Sequence, residues 1–204
     1  MKTRIHNVRK IIGVGPNFRA FRAQKNLPEQ DAPFLFLKSP ESLVTEEHVY
    51  LSPMLEEFIC EVEMAVIIGR TARNVSPEDA LHVVAGYALA NDITATAHMD
   101  DGRFKMFDQT TPIGPFVPGA GIDPSEVTLE MKVNGRLIQR DHTGELTYSV
   151  PWLISHISRL TTLREGDILL TGTPANPMQC AFGDTIELSS PELGYYKHVI
   201  LKGA

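Results

Sequence analysis

The stretch FICEVEMAVIIG, residues 58–69, places two glutamates one residue apart at the start of an apolar run. In a β-strand, side chains alternate between faces, so the second face would carry Glu61 and Glu63 roughly 7 Å apart and turn apolar toward Ile67. Two like charges that enter a core repel each other and lose hydration, so they need a compensating cation. The alternative is a strand end with two solvated glutamates. The other face would be wholly apolar, with Cys60, Val62, Met64, Val66 and Ile68.

Length and charge limit the classes of function. A chain of 204 residues can bury a substantial core, and we expect one catalytic domain that spans residues 1–204. The formal net charge is −6, and the sequence contains no run rich in lysine and arginine. A protein that neutralises phosphates needs such a run, so we expect no nucleic-acid partner.

Membrane and disulfide signals are also weak. No apolar stretch approaches the roughly 18 to 20 residues of a membrane span, and the amino terminus has no long apolar segment of the export type. Cys60 and Cys180 lie in apolar contexts without C-x-x-C spacing, so we expect neither a disulfide framework nor a thiolate metal site. These patterns favour a cytoplasmic protein with no membrane association.

The first 50 residues predict a strand, a lid segment and a second strand. An apolar run at residues 10–14 ends at Gly15-Pro16-Asn17, and polar residues bounded by prolines follow, as a helix or a mobile loop. The stretch FLFLK, residues 34–38, then begins a second strand. A segment flanked by glycine and prolines in this way is typical of a lid over an active site.

Residues 76–90 predict an amphipathic helix. Ser76 would be its N-cap and Pro77 its first helical residue, and apolar residues recur with helical spacing as far as Ala90. Asn91 and Asp92 would then lie on the segment that leaves the helix.

The carboxyl-terminal part is rich in strands. Residues 127–140, VTLEMKVNGRLIQR, alternate in polarity and turn at Asn134-Gly135, which is a strong hairpin signal. Residues 149–160 predict a helix, and Gly-Asp turns precede apolar strands near residues 168 and 185. Because strands outnumber helices without regular β–α alternation, we predict a β-rich α+β fold with a mixed, mostly antiparallel β core and a few helices.

Two further segments carry candidate chemistry near the glutamates. Asp92, in GYALANDITATA, is an acid among apolar and small residues and is a candidate third oxygen ligand. Three carboxylates make a hard, anionic site that suits Mg²⁺, Mn²⁺ or Ca²⁺ better than zinc. Lys105, in GRFKMFDQTTPIGPFVP, can bind a substrate carboxylate or polarise a carbonyl beside such a metal, and a surface lysine is the alternative.

Candidate anion-binding groups lie in a turn and on the lid segment. LLTGTP, residues 169–174, ends an apolar strand in a turn whose hydroxyl and backbone N–H groups, at Gly172 and Thr173, can hold an anion. A simple turn after a core strand is the alternative. Arg19 and Arg22 can bind a distal substrate carboxylate by bidentate pairing, or they can be solvated arginines.

Taken together and in order, EVEMAVIIG, GYALANDITA, KMFDQTTPIGPFV and LREGDILLTGTP resemble the fumarylacetoacetate hydrolase family, from about residue 10 to the carboxyl terminus. The resemblance implies the β-rich fold peculiar to that family, a homodimer, and substrate-binding roles for Lys105 and Thr173. It also implies that Mg²⁺ or Mn²⁺ chelates a 2-oxo acid substrate through its carboxylate and the adjacent oxygen. The metal ligands implied are Glu61, Glu63 and Asp92.

The lid segment departs from the pattern that the resemblance implies, Asn-Tyr-x-x-His-x-x-Glu, in which the His-Glu pair orders a water molecule. Within NFRAFRAQ, residues 17–24, Asn17 matches and is a candidate substrate-binding residue. Phe21 stands in place of the histidine and Gln24 in place of the glutamate. Neither side chain accepts a proton at neutral pH, so the water-activating pair is missing.

This departure changes the expected reaction. Hydrolysis of a carbon–carbon bond needs an activated water, whereas enol–keto proton transfer needs mainly a metal-stabilised enolate and a proton shuttle. We therefore expect isomerisation of a small 2-oxo or 2-hydroxy-enoic (di)carboxylic acid, such as those of aromatic-acid breakdown, with Lys105 as one candidate shuttle. Hydrolysis or decarboxylation of an acylpyruvate, a fumarylacetoacetate-like substrate or oxaloacetate is one alternative. A catalytically silent homologue that binds metal and an oxo acid is another.

Overall fold

Strands dominate the protein. The structure, a computed structural model, describes residues 5, 7–28 and 32–204. In chain order the first strands are β1 (Ile11–Gly15), β2 (Phe34–Lys38), β3 (Leu43–Val44), β4 (His48–Leu51), β5 (Phe58–Cys60), β6 (Val62–Ile68), β7 (Val84–Asn91) and β8 (Thr94–Ala95). They continue with β9 (Thr111–Pro112), β10 (Val117–Pro118), β11 (Thr128–Val133), β12 (Arg136–His142), β13 (Ile168–Leu170), β14 (Met178–Cys180), β15 (Thr185–Ser190) and β16 (Gly194–Lys202).

The helices in the described ranges are few and short. The α-helices are α1 (Arg19–Gln24) and α2 (Val150–Leu160), the second of which the sequence predicts. Single turns of 3₁₀-helix occupy Pro40–Ser42, Pro53–Leu55, Ala80–Val83, Thr96–His98 and Thr143–Glu145. None of the helices in the described part of the chain has the length and apolar character needed to traverse a bilayer.

Strand β6 lies inside a six-stranded sheet with the order β10-β7-β6-β13-β1-β2. Its side chains alternate between two apolar environments. Met64 and Val66 lie in the larger core, and Ala65 and Ile67 lie in a smaller cluster. Every residue of β6 is buried, so the predicted strand is confirmed, with an interruption at Glu61 that separates it from β5.

A second sheet covers the first. Its five strands have the order β12-β11-β15-β16-β4, and β11 packs on β6 while β15 packs on β7, so the larger core lies between the two sheets. The predicted hairpin is confirmed as β11–β12, and its turn residues Asn134 and Gly135 have φ of 50° and 80°. Two successive positive φ values are what a two-residue type I′ turn requires.

Most neighbouring strands run antiparallel. The parallel pairs among the described strands are β1 with β13, β4 with β16 and β3 with β9. Two smaller sheets, β14-β5-β8 and β3-β9, complete the core. The predicted fold class, β-rich and mostly antiparallel with few helices, is therefore confirmed.

The amphipathic helix predicted for residues 76–90 is wrong. Ser76 Oγ does accept a hydrogen bond from the Asp79 N–H at 3.3 Å, but this cap closes only a turn, and strand β7 follows the 3₁₀-helix Ala80–Val83. A continuous apolar run in a strand buried on both faces satisfies helical spacing as easily as strand spacing. The close approach of β10 also fixes a strand here, since a Cβ on Gly86 would lie 2.1 Å from the Val117 oxygen. As a result, Asp92 follows a strand that is paired to β6.

Strands β1 and β2 pair antiparallel and flank α1, which we call the lid helix. Strand β1 also pairs with β13, so the lid helix starts beside the strand that leads into the Thr-Gly-Thr-Pro turn. Cys60 and Cys180 are buried free thiols on the neighbouring strands β5 and β14. The extent of the catalytic domain, residues 1–204, stays a prediction.

Candidate active site

Two buried glutamates stand where β5 passes into β6. Glu61 lies in the one-residue gap between the strands and is 8% exposed, and Glu63 is the second residue of β6 and is 2% exposed. The local fold therefore takes both carboxyl groups out of water. Burial of this kind is costly unless the charges are paired or neutralised, so these are not the solvated charges of an ordinary strand end.

Asp92 joins the glutamates because β6 and β7 are antiparallel partners. The register pairs Val62 with Asn91, which places the end of β7 beside the beginning of β6. The Asp92 N–H donates to the Glu61 carbonyl at 2.8 Å, and the Glu61 N–H donates to Asn91 Oδ1 at 2.9 Å. These two hydrogen bonds, one to a carbonyl and one to a side-chain amide, hold Asp92 beside Glu61 in a buried corner of the fold.

Two lysines neutralise this corner. Lys105 Nζ donates to Asp92 Oδ2 at 2.5 Å, to Thr94 Oγ1 at 2.5 Å and to Glu61 Oε2 at 3.2 Å. It also lies 4.7 Å from the centroid of the Phe36 ring, a cation–π contact. Lys105, predicted from its sequence context, is thus brought together with two of the predicted carboxylates.

The second cation, Lys38 at the end of β2, was not among the predicted site residues. Its Nζ donates to Asp92 Oδ1 at 2.5 Å and to the carbonyl oxygens of Ile93 at 3.2 Å and Thr110 at 2.7 Å. Each carboxylate oxygen of Asp92 therefore faces a different ammonium group. The sequence signal for Lys38 is a lysine at the end of an otherwise apolar strand. This signal does not identify Asp92 as its partner.

The charged groups in this corner shift one another's pKa values. Burial, reinforced by Asp92 and Glu61, raises the pKa of Glu63 well above its ordinary value. Burial acts against the charge of Asp92 as well, but Lys105 and Lys38 outweigh it, so the pKa of Asp92 is lowered. Burial likewise opposes the charge of Lys105, yet Asp92 and Glu61 raise its pKa. For Lys38 burial dominates and lowers the pKa to about 8. Glu63 is thus the carboxyl group of the three whose protonated form the metal-free site favours.

Among the residues that the structure describes, no three His, Cys, Asp or Glu side chains converge at metal-ligating distance. Glu61 and Asp92 turn instead toward the ammonium group of Lys105. The donor set still fits a hard divalent cation, since Glu61, Glu63 and Asp92 offer only oxygen atoms, are held by adjoining strands and include one proton that a metal can displace.

The Thr-Gly-Thr-Pro turn after β13 reaches the same corner. The Gly172 N–H donates to Glu63 Oε2 at 2.7 Å, and Thr173 is buried beside it. Gly172 has φ of +100°, and a Cβ there would lie 2.7 Å from Asn17 Cβ, so only glycine fits this position. The turn therefore delivers a backbone donor to one carboxyl group and a threonine hydroxyl to its neighbourhood.

Gln139, on β12, fastens this turn to the strand that carries the glutamates. Its Oε1 accepts from the Val62 N–H at 3.0 Å, and its Nε2 donates to Thr173 Oγ1 at 2.9 Å and to the Pro174 carbonyl at 2.8 Å. The sequence analysis missed this residue. The only available signal is an amide in a strand whose other polar residues are charged.

The predicted substrate-binding residues on and before the lid helix use their polar groups within the protein. The Asn17 amide donates to the carbonyls of Tyr148 at 3.0 Å and Thr171 at 2.8 Å, and its oxygen accepts from the Tyr148 N–H at 2.9 Å. Arg22 donates to the carbonyls of Pro16 at 3.2 Å and Pro28 at 2.5 Å. Both residues thus brace the backbone around the lid helix, and their roles toward substrate stay predictions.

Phe21 and Gln24, which the sequence predicts to stand in place of a histidine and a glutamate, lie on the lid helix. Phe21 is buried in the larger core. Gln24 Nε2 donates to Asn176 Oδ1 at 3.1 Å, and the Asn176 N–H donates to Gln24 Oε1 at 3.3 Å. This exposed amide pair attaches the helix to the loop after the Thr-Gly-Thr-Pro turn. The absence of a water-activating pair from this helix stays a prediction.

A cavity of about 620 Å³ lies elsewhere in the described structure. None of the candidate site residues lines it. Glu41, Glu46 and Asp108 give its wall a negative character that disfavours an anionic oxo acid. The buried carboxylate corner is the better candidate for chemistry on such substrates.

Comparison with known proteins agrees with the resemblance seen in the sequence. Two relatives match nearly the whole chain. An oxaloacetate tautomerase of Caenorhabditis elegans is 34% identical over 188 residues, which cover 87% of this chain and 88% of that protein. A 4-hydroxyphenylacetate degradation bifunctional isomerase/decarboxylase of Salmonella dublin is 33% identical over 192 residues, which cover 90% of this chain and 45% of that protein.

The fold is shared with solved structures. The crystal structure of a fumarylpyruvate hydrolase of Pseudomonas aeruginosa in complex with Mn²⁺ and pyruvate superposes with a TM-score of 0.87 at 27% identity, over 96% of this chain and 90% of that one. Residues 10–201 match the family model described as fumarylacetoacetate (FAA) hydrolase C-terminal. The chain therefore belongs to the fumarylacetoacetate hydrolase family.

Proposed function

We propose that the protein is a divalent-metal-dependent enzyme that interconverts enol and keto forms of a small 2-oxo or 2-hydroxy-enoic (di)carboxylic acid. The observation that carries this proposal is a contrast within one site. The buried corner contains all three proposed ligands, Glu61, Glu63 and Asp92, whereas the lid helix carries Phe21 and Gln24 where a water-activating pair is expected. The first feature supports binding of an oxo acid, and the second disfavours hydrolysis.

Glu61, Glu63 and Asp92 would hold the metal, which is Mg²⁺ or Mn²⁺. Their oxygen-only donor set supports this choice, as does the manganese ion bound with pyruvate in the Pseudomonas relative. When bound, such an ion withdraws electron density from a chelated 2-oxo acid and stabilises the enolate. The metal binds more tightly as Glu63 loses its proton, because ligands must be deprotonated.

The remaining side chains orient the site and move a proton. Lys38 holds Asp92 through one carboxylate oxygen, so the other oxygen is left for Lys105 or a metal. Lys105 keeps a proton at Nζ and is the candidate acid that donates to the enolate. Thr173 Oγ1 accepts from Gln139, so the hydroxyl proton of Thr173 is directed to another acceptor, which we assign to the substrate carboxylate.

Decarboxylation of a 2-oxo diacid is the second candidate. It needs an electron sink but no activated water, so the altered lid helix does not disfavour it. The Salmonella relative, a bifunctional isomerase/decarboxylase, supports the same possibility. Both reactions pass through an enolate and use the same ligands.

Enol absorbance tests the proposal. Freshly dissolved enol-oxaloacetate and 2-hydroxyhepta-2,4-dienedioate are followed in the ultraviolet with Mg²⁺ or Mn²⁺, with and without protein. We expect loss of enol absorbance above the buffer rate, abolished by Glu63→Gln. No enhancement for any enol acid overturns the isomerase proposal. Pyruvate release from oxaloacetate or an acylpyruvate identifies the decarboxylase or hydrolase, and metal and oxalate binding without turnover identifies a silent homologue.

We also propose a homodimer that forms at the edge of the six-stranded sheet. Strand β2 is that edge, and it leaves Leu37 64% exposed next to Leu160 of α2, which is 61% exposed. Between them lies an apolar groove of about 330 Å³. An exposed apolar patch beside an unpaired strand edge suits a second copy of the same edge.

Light scattering after size-exclusion chromatography measures the mass. We expect a dimer in the wild type and a monomer for Leu37→Glu. Leu137, exposed on the edge strand β12 of the other sheet, gives the matched control Leu137→Glu, which stays dimeric. A wild-type monomer, or a dimer that survives Leu37→Glu, overturns this assignment.

A further inference from the structure

A histidine of the second sheet lies behind the carboxylate corner. His198, on β16, is completely buried. Its Nε2 lies 3.1 Å from Asn91 Nδ2, and its Nδ1 has no hydrogen-bond partner among the described residues. The ring also stacks on Tyr196 at a centroid distance of 5.1 Å. A buried ring nitrogen without a partner is unfavourable, so hydrogen bonding by Nδ1 does not explain why a histidine is at this position.

The hydrogen bonds fix the orientation of both side chains. The Glu61 N–H is a donor, so the Asn91 atom that faces it at 2.9 Å must be the amide oxygen. The Asn91 NH₂ group therefore points at His198 and donates to Nε2. Nε2 must be the unprotonated nitrogen, and the ring proton is on Nδ1. Burial lowers the pKa of His198 to about 3, which agrees with a neutral ring.

The series of hydrogen bonds from His198 through Asn91 ends at Glu61, a proposed metal ligand. Asn91 adjoins Asp92, and its oxygen accepts from the backbone N–H of Glu61 in the gap between β5 and β6, so a side chain takes the place of a backbone acceptor for that N–H. If the His198 acceptor were lost, the Asn91 NH₂ group would be buried without a partner, which is unfavourable. The amide would then be held less firmly in the orientation that accepts from the Glu61 N–H, and this hydrogen bond would open more often.

We propose that His198 is a positioning residue for the carboxylate corner. It orients the Asn91 amide, and through it the backbone that carries Glu61, so the second sheet supports the ligands of the first. The consequence for metal affinity rests on the proposed function, whereas the consequence for the Glu61 backbone does not.

Three variants test this inference on the full-length protein. His198→Phe keeps an aromatic ring but offers Asn91 no acceptor. His198→Gln places an amide oxygen near the position of Nε2 and restores the acceptor. Tyr196→Phe is the matched control, since it removes another buried hydrogen bond on β16, from the Tyr196 hydroxyl to the Glu46 carbonyl, without touching Asn91.

Two measurements separate positioning from general packing. Amide hydrogen exchange of the metal-free protein reports on Glu61, and we expect exchange at least about tenfold faster in His198→Phe but not in His198→Gln or Tyr196→Phe. Titration with Mn²⁺, followed by electron paramagnetic resonance, reports on the ligands. We expect a dissociation constant about 10- to 100-fold higher in His198→Phe, as is typical when a partner of a metal ligand is removed, and near the wild-type value in the other two variants.

The outcomes are distinct. Unchanged Glu61 exchange in His198→Phe, or equal effects of His198→Phe and His198→Gln, overturns the positioning role. A wild-type protein that binds no Mn²⁺ overturns the proposed metal site instead, and Glu61 exchange in the metal-free variants then decides the inference by itself. Loss of thermal stability in all three variants with unchanged exchange at Glu61 indicates packing only and also overturns it.

Discussion

The carboxylate corner and the lid helix belong to one site, but they are attached to the fold in different ways. The corner lies at the junction of paired, buried strands, and its polar groups bond to Lys38, Lys105, Gln139 and Asn91 at full burial. The six-residue lid helix is held by bonds to backbone carbonyls and by exposed pairs such as Gln24 with Asn176. We infer that the paired strands fix binding, while the choice of reaction lies in a short helix that packs through Phe21 and is otherwise tied to the surface.

Asp92→Asn should have the largest effect, because it breaks the corner itself. The substitution leaves Lys38 and Lys105 buried without the carboxylate that each contacts. Removal of one partner of a buried ion pair typically costs about 3–5 kcal/mol. For a chain of this size that corresponds to a melting temperature lower by roughly 6–20 °C, measured by thermal unfolding of the metal-free protein. An unchanged melting temperature at neutral pH contradicts the charge arrangement described here.

Glu63→Gln should lower the affinity for metal with little change in the melting temperature of the metal-free protein. Since the raised pKa of Glu63 favours the protonated carboxyl group without metal, glutamine resembles that form, and the melting temperature should shift little below the folded-state pKa. Mn²⁺ affinity, however, should fall by about 100-fold or more, beyond the usual effect of residues that only support a ligand. Calorimetric titration measures it, and Asp92→Asn serves as the comparison because it loses both properties.

Glu63→Gln should also change how the free energy of unfolding and the Mn²⁺ affinity depend on pH. A folded-state pKa raised above the ordinary 4.5 means that the folded protein binds a proton more tightly than the unfolded chain, so the free energy of unfolding decreases as pH rises from about 4.5 through the folded-state pKa. Metal binding displaces that proton, so wild-type Mn²⁺ affinity rises with pH below the folded-state pKa, by up to about tenfold per unit. Glu63→Gln should flatten both dependences. Parallel wild-type and variant profiles would exclude Glu63 as the group responsible.

Sequence reasoning found the residues with local signals and missed those with distant partners. Glu61, Glu63 and Asp92 are acids within apolar runs, and Lys105 lies between two recognisable turns, so each is visible in its own segment. Lys38 and Gln139 were missed, because their partners lie 54 and 77 positions away along the chain and only the strand order brings them together.

The error at residues 76–90 has a physical cause as well. Strand β7 is buried on both faces from Gly86 onward and consists mainly of small and apolar residues, so its sequence lacks the alternation that marks a half-exposed strand. Ser76 and Pro77 added a genuine turn signal that resembles a helix start. The hairpin at Asn134-Gly135 was predictable because its two positive φ values depend on the turn residues alone.

The double substitution Phe21→His with Gln24→Glu tests whether the lid helix selects the reaction. Burying a histidine where Phe21 packs forfeits apolar burial worth about 1.5–3 kcal/mol, so the melting temperature should fall by roughly 3–12 °C. The carboxylate corner does not contact these residues, so Mn²⁺ affinity should stay within about twofold of wild type. We expect the double variant to release pyruvate from an acylpyruvate faster than the wild type does. Equal release by both proteins would mean that the lid helix does not set the choice between isomerisation and hydrolysis.

Gln24→Ala should have the smallest effect on stability and the most local effect on structure. It removes the two hydrogen bonds to Asn176, which are exposed and together contribute no more than about 1 kcal/mol, so the melting temperature should fall by at most roughly 2–4 °C. Because Asn176 follows the turn that carries Thr173, loss of the two bonds should also loosen that turn and weaken substrate binding. We expect faster amide exchange in the lid helix and in residues 174–177, and a higher KM with little change in kcat.

Arg19→Ala is the matched control for this last variant. Arg19 lies on the same helix and makes an exposed ion pair with Glu145 at 3.2 Å, away from the Thr-Gly-Thr-Pro turn. A surface pair of this kind contributes about 0–1 kcal/mol, similar to the loss expected for Gln24→Ala. If both variants raise KM equally, the amide pair has no special part and the helix simply frays. If only Gln24→Ala raises KM, Gln24 is a structural tie between the lid helix and the turn that carries Thr173.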